Sequence, residues 1–402
     1  MPAAPSLLIV PYRSKTGKLY SQIPTSGAGD FTVTRNTTAT RFTSAGLIAS
    51  VASGIPRLDY ATSGGTVGCP ALLVEPAGTN LCLQSEAFNT TWTRVSGGTG
   101  LLPVITANAV VAPDGTTTAE TIVFDRGSAT SGTANFSQVQ QVINLATSGT
   151  YTLSVYAKAT ASGDVGKQFY IRAKDTLVSG ALTSSWVRYT STETGVAAGN
   201  TSIMIGNRGG FTADQSVSVD LWGAQLETGS VATSYIPTTT GTGSRSADVI
   251  SVSGAVSGSI GQTEGTIYAE FEHTSNTAER RVIALSDGTA TNRIFIWAMS
   301  NILYAQIQGN SIAIVNPIPS GYNKVAFAYQ QNGVSGNLFA SINGGAVVSG
   351  TSTTYPATIN RVAIGSSESA AAGTLQWNNR IRATALYTTR LTNAELATLT
   401  TP

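Results

Sequence analysis

The sequence is poor in the residues that carry most enzyme chemistry. Among 402 residues there is one histidine, His273, and there are two cysteines, Cys69 and Cys82. A single imidazole excludes most metal chemistry and every catalytic scheme that needs a second one, and two thiols are too few for a disulfide framework or a zinc site. Charge is scarce as well. Asp, Glu, Lys and Arg make up 11% of the chain, and 23 basic residues against 21 acidic ones leave a net charge of +2 without long runs. Nucleic acid and anionic lipid both require clustered cations, so neither is an expected partner. No apolar stretch reaches the ~20 residues of a membrane-spanning helix, which argues against membrane insertion. The opening MPAAPSLLIVPYR lacks the basic n-region of a signal peptide, so no secretory route is expected from it.

What is abundant is Gly (42 residues), Ser and Thr, beside an apolar fraction of 41%. Thr and Val suit a pleated, half-buried surface, while Gly, Asn and Ser turn corners. The chain is too long for one core, and two or three domains are expected. Residues 1–65 read as an extended attachment or intersubunit region, with prolines at 2, 5, 11, 24 and 56 breaking any helix. Short strands are expected there at Phe31–Val33 and Arg41–Thr43.

Residues 66–245 carry strands separated by turns. In YTLSVYAK (151–158), Leu153, Val155 and Ala157 alternate with Thr152, Ser154, Tyr156 and Lys158, which predicts one buried and one wetter face. Similar runs fall at 119–124, 136–145, 168–174, 186–192, 201–206 and 217–226, the pattern of a jelly-roll sandwich. PTTTGTGSRSAD (237–248) reads as a linker. Residues 246–402 form a second strand-rich block, with runs at 265–273, 281–287, 293–299, 302–309, 324–330 and 338–344 and a tight-turn signal at Asn343-Gly344-Gly345. One short helix is expected at 391–399, where Thr392 and Glu395 have capping-box spacing. The fold class expected is all-β: two antiparallel β-sandwiches after an extended N-terminal region.

Three stretches go beyond composition. PRLDY, followed by GCPALLVEPAGTNLCLQSEAF, resembles the N-terminal signature of phage fibre and appendage proteins, an R-x-D-Y element before L-L-x-E-P-x-x-T-N-L. Arg57, Asp59, Tyr60, Glu75, Pro76, Thr79, Asn80 and Leu81 occupy those places. Many proteins of that kind carry a basic residue just before Thr-Asn, where Gly78 stands here, so any bridge it makes is absent or supplied elsewhere. VDLWGAQLETGSVATSYIPT, followed by SRSAD, resembles the closing strand of a jelly-roll module of phage tail proteins that is similar to carbohydrate-binding modules. WNNRIRATALYTTRLTNAELATL resembles the last strand and helix of laminin-G-like or concanavalin-like domains. The resemblance implies a virion protein, assembled in the host bacterial cytoplasm. Cys69 and Cys82 flank the E-P-x-x-T-N element and could pair if adjacent strands bring them together, but assembly in a reducing cytoplasm favours two buried thiols.

Candidate chemistry is sparse. Glu270 and Glu272, two apart on one strand, are the best carboxylate pair for glycoside cleavage, but a solvated outer face accounts for them better. No catalytic residue is assigned. Asp220 and Asp287 are single oxygen donors for a structural calcium, short of the six or more that the ion takes, and no other cofactor is indicated. Trp297, Tyr304, Tyr329 and Trp377 are the candidate glycan-stacking rings, each with core packing as its plainer role. Trp186 and Trp222 read as structural. The expected function is a non-enzymatic fibre or appendage subunit, a homotrimer joined to other virion proteins through its N-terminal region and holding host-surface glycans. The alternatives are a head fibre or decoration protein without ligand and a polysaccharide depolymerase.

Overall fold

A computed structural model describes residues 4–63, 66–127, 132–254, 256–274, 278–367 and 375–402. Nearly all regular structure in it is antiparallel strand, and Asn393–Thr400 is the one α-helix among the described residues. The strands collect into two compact units: residues 78–245 with 47–49, and residues 1–46, 50–77 and 246–402.

The first unit is a jelly roll by strand order. Eight consecutive strands run from Ala119–Asp125 through Phe136–Leu145, Gly149–Ala159, Gln168–Arg172, Leu177–Ala181, Val187–Val196 and Gly199–Arg208 to Ser216–Thr228. The first, eighth, third and sixth form one sheet in that order; the second, seventh, fourth and fifth form the other. Thr93–Gly97 and Val104–Val110 add one edge strand to each. Leu153, Val155 and Ala157 point into a core with Ile122, Phe124, Ile203, Ile205 and Val219, as the alternation predicts. The opposite face of that strand is not wet, however: Thr152, Ser154 and Tyr156 are buried too. The segment after the last strand folds back over them, with Tyr235 against Trp222 (4.4 Å between centroids) and Trp222 against Tyr156 (5.8 Å).

That return also changes the reading of 237–248. Thr238 is buried and exchanges hydrogen bonds with Ser85, and Gly243–Arg245 pairs in register with Gly78–Asn80. A Pro, Thr and Gly stretch looks like a linker because it lacks apolar periodicity, yet here hydroxyls and backbone groups anchor it.

The second unit is a larger sandwich. One sheet runs in the order Val348–Ser352, Ser335–Ile342, Gly321–Asn332, Glu264–His273, Asn379–Tyr387, Thr66–Val74 and Leu58–Ser63, with Leu7–Ile9 also on Asn379–Tyr387. The other runs Ser14–Lys15, Lys18–Leu19, Phe31–Thr34, Val249–Ser253, Arg361–Ile364, Arg280–Ser286, Arg293–Met299, Ile302–Ile307 and Asn310–Val315. Phe271, Phe327, Ile381 and Leu72 from the first sheet meet Ile250, Ile283, Ile296 and Leu303 from the second in one continuous core.

The N-terminal region is therefore not a separate extended segment. Most of its strands join the two sheets built by 246–402, covering edges that would otherwise expose unpaired N–H and C=O groups, while Ala39–Phe42 and Ile48–Val51 pair with each other. The helix begins as its sequence predicts: Thr392 caps the backbone N–H of Glu395, and the Glu395 carboxylate accepts from the backbone N–H of Thr392. Leu396 then packs on Ala326, Ala328, Ala385 and Tyr387, on the side of the first sheet away from the main core.

Candidate functional site

Charged residues that carry the resemblance sit in two clusters inside the second unit, one buried and one partly buried. Arg57, fully buried, reaches Glu75 at 2.7 Å, the carbonyl of Thr40 at 3.1 Å, and both carboxylate oxygens of Asp248. Arg35 holds the other side of Asp248 at 3.0 Å and donates to the carbonyls of Thr37, Val51, Ala52 and Ile55. Asp248 also accepts from the backbone N–H of Glu75 at 3.0 Å. Burial alone lowers the Arg57 pKa, but the two carboxylates outweigh it and hold the guanidinium well above its ordinary value. In the second cluster, Asp59 accepts from Arg380 and from the backbone N–H of Phe42 (2.8 Å), and Arg380 also reaches Glu272 at 2.8 Å. Charge networks of this kind hold a scaffold together.

Asn80 does comparable work in the jelly roll. Its amide donates to the carbonyls of Ala224 and Ile236, and its oxygen accepts from the N–H groups of Cys82 and Leu226. At position 78 the backbone meets an arginine from another part of the chain. A Cβ at Gly78 would lie 3.2 Å from Arg245 Nη2 and 3.5 Å from Glu227 Oε2. Arg245 thus brings its guanidinium to the place where a side chain at 78 would begin, with Thr233 Oγ1 at 3.1 Å and Ser234 Oγ at 2.9 Å accepting from it.

Glu270 and Glu272 share one face, and each meets an arginine: Arg382 lies 2.8 Å from Glu270, and Arg380 lies 2.8 Å from Glu272. Arg382 also stacks on Tyr322, 3.5 Å from the ring centroid. Both carboxylates are thus engaged in ion pairs.

The metal candidates separate in the same way. Asp220 is buried, accepts from Thr121 Oγ1 and Thr160 Oγ1, and faces the Lys158 ammonium at 3.5 Å. Asp287 is spent within its own turn, on the backbone N–H and hydroxyl of Thr289 and on the Asn292 amide. Among the described residues no group of three or more His, Cys, Asp or Glu side chains converges.

The four candidate stacking rings divide into two pairs. Tyr329 and Trp377 are core residues, a correction to their reading as glycan platforms. Tyr329 is 1% exposed with its hydroxyl on the Gly261 carbonyl, and Trp377 is 4% exposed, edge-on to Phe271 and donating to the Glu272 carbonyl. Neither ring offers a face to a sugar. Trp297 and Tyr304 are half-buried, face each other across adjacent strands, and stack at 4.5 Å and 20°. Arg281 covers the neighbouring Phe295 at 4.3 Å and reaches 5.6 Å from Trp297. Trp297 Nε1 has no hydrogen-bond partner among the described residues.

The thiols differ from each other. Cys82 is buried, which pushes its pKa up, whereas Cys69 is exposed, contrary to the expectation of two buried thiols. His273 is buried beside Trp377, and desolvation pushes its pKa down.

No family model matches the chain, and no curated protein does. Solved structures do. The CBM40 of the Ruminococcus gnavus IT-sialidase, bound to α2,3-sialyllactose, is 16% identical with a TM-score of 0.30, covering 35% of this chain and 84% of that one. The NanB sialidase from Streptococcus pneumoniae is 17% identical with a TM-score of 0.31, covering 38% of this chain and 27% of that one. A CBM4 is 19% identical with a TM-score of 0.22, covering 32% and 87%. The structural neighbours are therefore carbohydrate-binding modules and sialidases. The all-β assignment itself rests on the strand orders above.

Proposed function

We propose that this chain is a non-catalytic structural subunit of a bacteriophage particle, a fibre or appendage component that adheres weakly to glycans on the host surface. The observation that carries the adhesive part is the Trp297–Tyr304 stack on the outer face of the nine-stranded sheet. A half-buried pair of rings on the outer face of a sheet suits the apolar face of a pyranose. The non-catalytic part is supported by the arginines that hold Glu270 and Glu272. The virion assignment draws on the resemblance, whose polar positions fall in the two charge clusters and at Asn80. Homotrimeric assembly belongs to the same proposal, because many weak sites together give useful avidity.

The test is a glycan array with the full chain and the Trp297→Ala variant, with labelling of intact particles by a specific antibody. Binding of at least one neutral glycan that the variant loses, with label on the particle, is the expected result. Release of reducing ends from a host polysaccharide, abolished by Glu270→Gln, would instead establish a depolymerase. A stable monomer at micromolar concentration would remove the trimer.

A further inference from the structure

A second polar site lies on the sheet that carries Trp297. Lys18, Thr32, Ser251 and Ala363 stand in register across four neighbouring strands, and Ser253 opposite Arg361 forms the adjacent row. Strands lie about 4.8 Å apart and Arg361 sits two residues along its strand from Ala363, so the Cα atoms of Lys18 and Arg361 are separated by roughly 16 Å. Between the two long side chains every residue is short. The result is a groove of about 390 Å³ with a floor of Thr32, Ser251 and Ser253, walls of Lys18 and Arg361, and Asp30 at its rim. Small-molecule sites begin near ~300 Å³.

The charge in this groove is unbalanced. Arg361 is held by Ser251 Oγ at 2.9 Å, its Nε is buried without a partner, and no carboxylate among the described residues pairs with it. Lys18 likewise has no ion pair among the described residues. Asp30 is the one acidic group on the lining, and its Oδ1 is occupied by the backbone N–H and hydroxyl of Ser21. Burial without an acidic partner pushes the Arg361 pKa down, the signature of a cation that gains by acquiring an anion. The remaining lining is the hydroxyls of Thr32, Ser251 and Ser253 with Gly27, Ala28 and Val252, and it holds no aromatic ring, which disfavours a flat apolar ligand.

We infer that this groove binds a carboxylate-bearing saccharide, with the carboxylate on Arg361 and Lys18 and the ring hydroxyls on Thr32, Ser251, Ser253 and Asp30. The inference rests on the adhesion reading above and deepens it by naming an acidic sugar as a ligand class. The groove is open to water, so a single-site affinity in the millimolar range is expected.

Saturation-transfer NMR on the full chain tests it, with galacturonic acid as the probe, galactose as the neutral counterpart and acetate as the bare anion. Wild-type protein is expected to bind galacturonic acid at least fivefold more tightly than galactose or acetate, and less tightly as salt rises from 50 to 500 mM. Arg361→Gln and Lys18→Gln should each weaken galacturonic acid at least fivefold while thermal unfolding stays unchanged. Equal binding of galactose, or unchanged binding by Arg361→Gln, overturns the acidic-sugar assignment and leaves adhesion through Trp297 standing. Equal binding of acetate reduces the groove to an anion site and overturns the saccharide. Failure of galacturonic acid here, with neutral glycans still captured on the array, sinks this inference alone, and failure of both sinks the adhesion reading as well.

Discussion

Replacing Arg57 by Met should be the most damaging single change in the second unit. The guanidinium is fully buried and bridges Glu75 and Asp248, and Met preserves much of its length while removing the charge and all five donors. Asp248 keeps Arg35 at 3.0 Å, so one carboxylate stays compensated. Glu75, 4% exposed, loses its cation. Breaking a buried ion pair from one side costs about 3–5 kcal/mol, because the surviving charge is stranded in a poor solvent. For a domain of roughly 150–250 residues each kcal/mol moves Tm by about 2–4 °C, so a fall of roughly 6–20 °C is expected. Differential scanning calorimetry of the full chain reads it. Hydrogen exchange at the Glu75 amide, which donates to Asp248, locates the change. Adding Glu75→Gln should recover about 1–2 kcal/mol, since the stranded charge is then gone. A fall under about 3 °C for Arg57→Met, or no recovery in the double variant, would show that the cluster is not held by charge compensation.

Glu120 should make the jelly roll weaker at alkaline pH. Burial raises its pKa from 4.5 to about 7 against one hydrogen bond from the Phe88 backbone N–H, so the penalty for ionisation is absent below about pH 4.5, grows as pH rises, and is complete above about 7. Glu120→Gln should therefore stabilise by on the order of 1–2 kcal/mol at pH 8, after allowance for solvent screening, and by almost nothing at pH 4; equal gains at both would refute the assignment. Gly78→Arg should destabilise by about 1–3 kcal/mol, because the new side chain starts 3.2 Å from Arg245 Nη2. The double change with Arg245→Ser should regain most of that in urea unfolding, and an additive loss would mean that the two side chains do not compete for the same space.

Much of the fold was legible in the chain. Seven of the eight jelly-roll strands, all but Leu177–Ala181, the tight turn at Asn343-Gly344 and the capped helix at 393–400 follow from local pattern: period-2 alternation, residues that tolerate positive φ, and side chains that satisfy their own backbone. The candidate site was legible only by residue type. Trp297, Tyr304, Tyr329 and Trp377 looked alike, and burial then separated two surface rings from two core rings. The groove around Arg361 was missed. Its lining comes from the strands Lys18–Leu19, Phe31–Thr34, Val249–Ser253 and Arg361–Ile364 and the nearby turn, and none of those segments stands out alone.

By itself the sequence settled the fold class, because strand periodicity and scarce charge are local properties that hold whatever the strands pair with. It also bounded the chemistry available, since one histidine and two thiols cannot be multiplied by folding. Only the tertiary structure decided that most strands within residues 7–74 join the sheets of 246–402, that Arg57 meets Asp248, that Arg245 stands beside Gly78, and that the second face of Gly149–Ala159 is covered. These are pairings between segments far apart in the chain. Such contacts depend on which sheet edges and buried charges remain unsatisfied once the local elements have formed, and that is a property of the assembled whole.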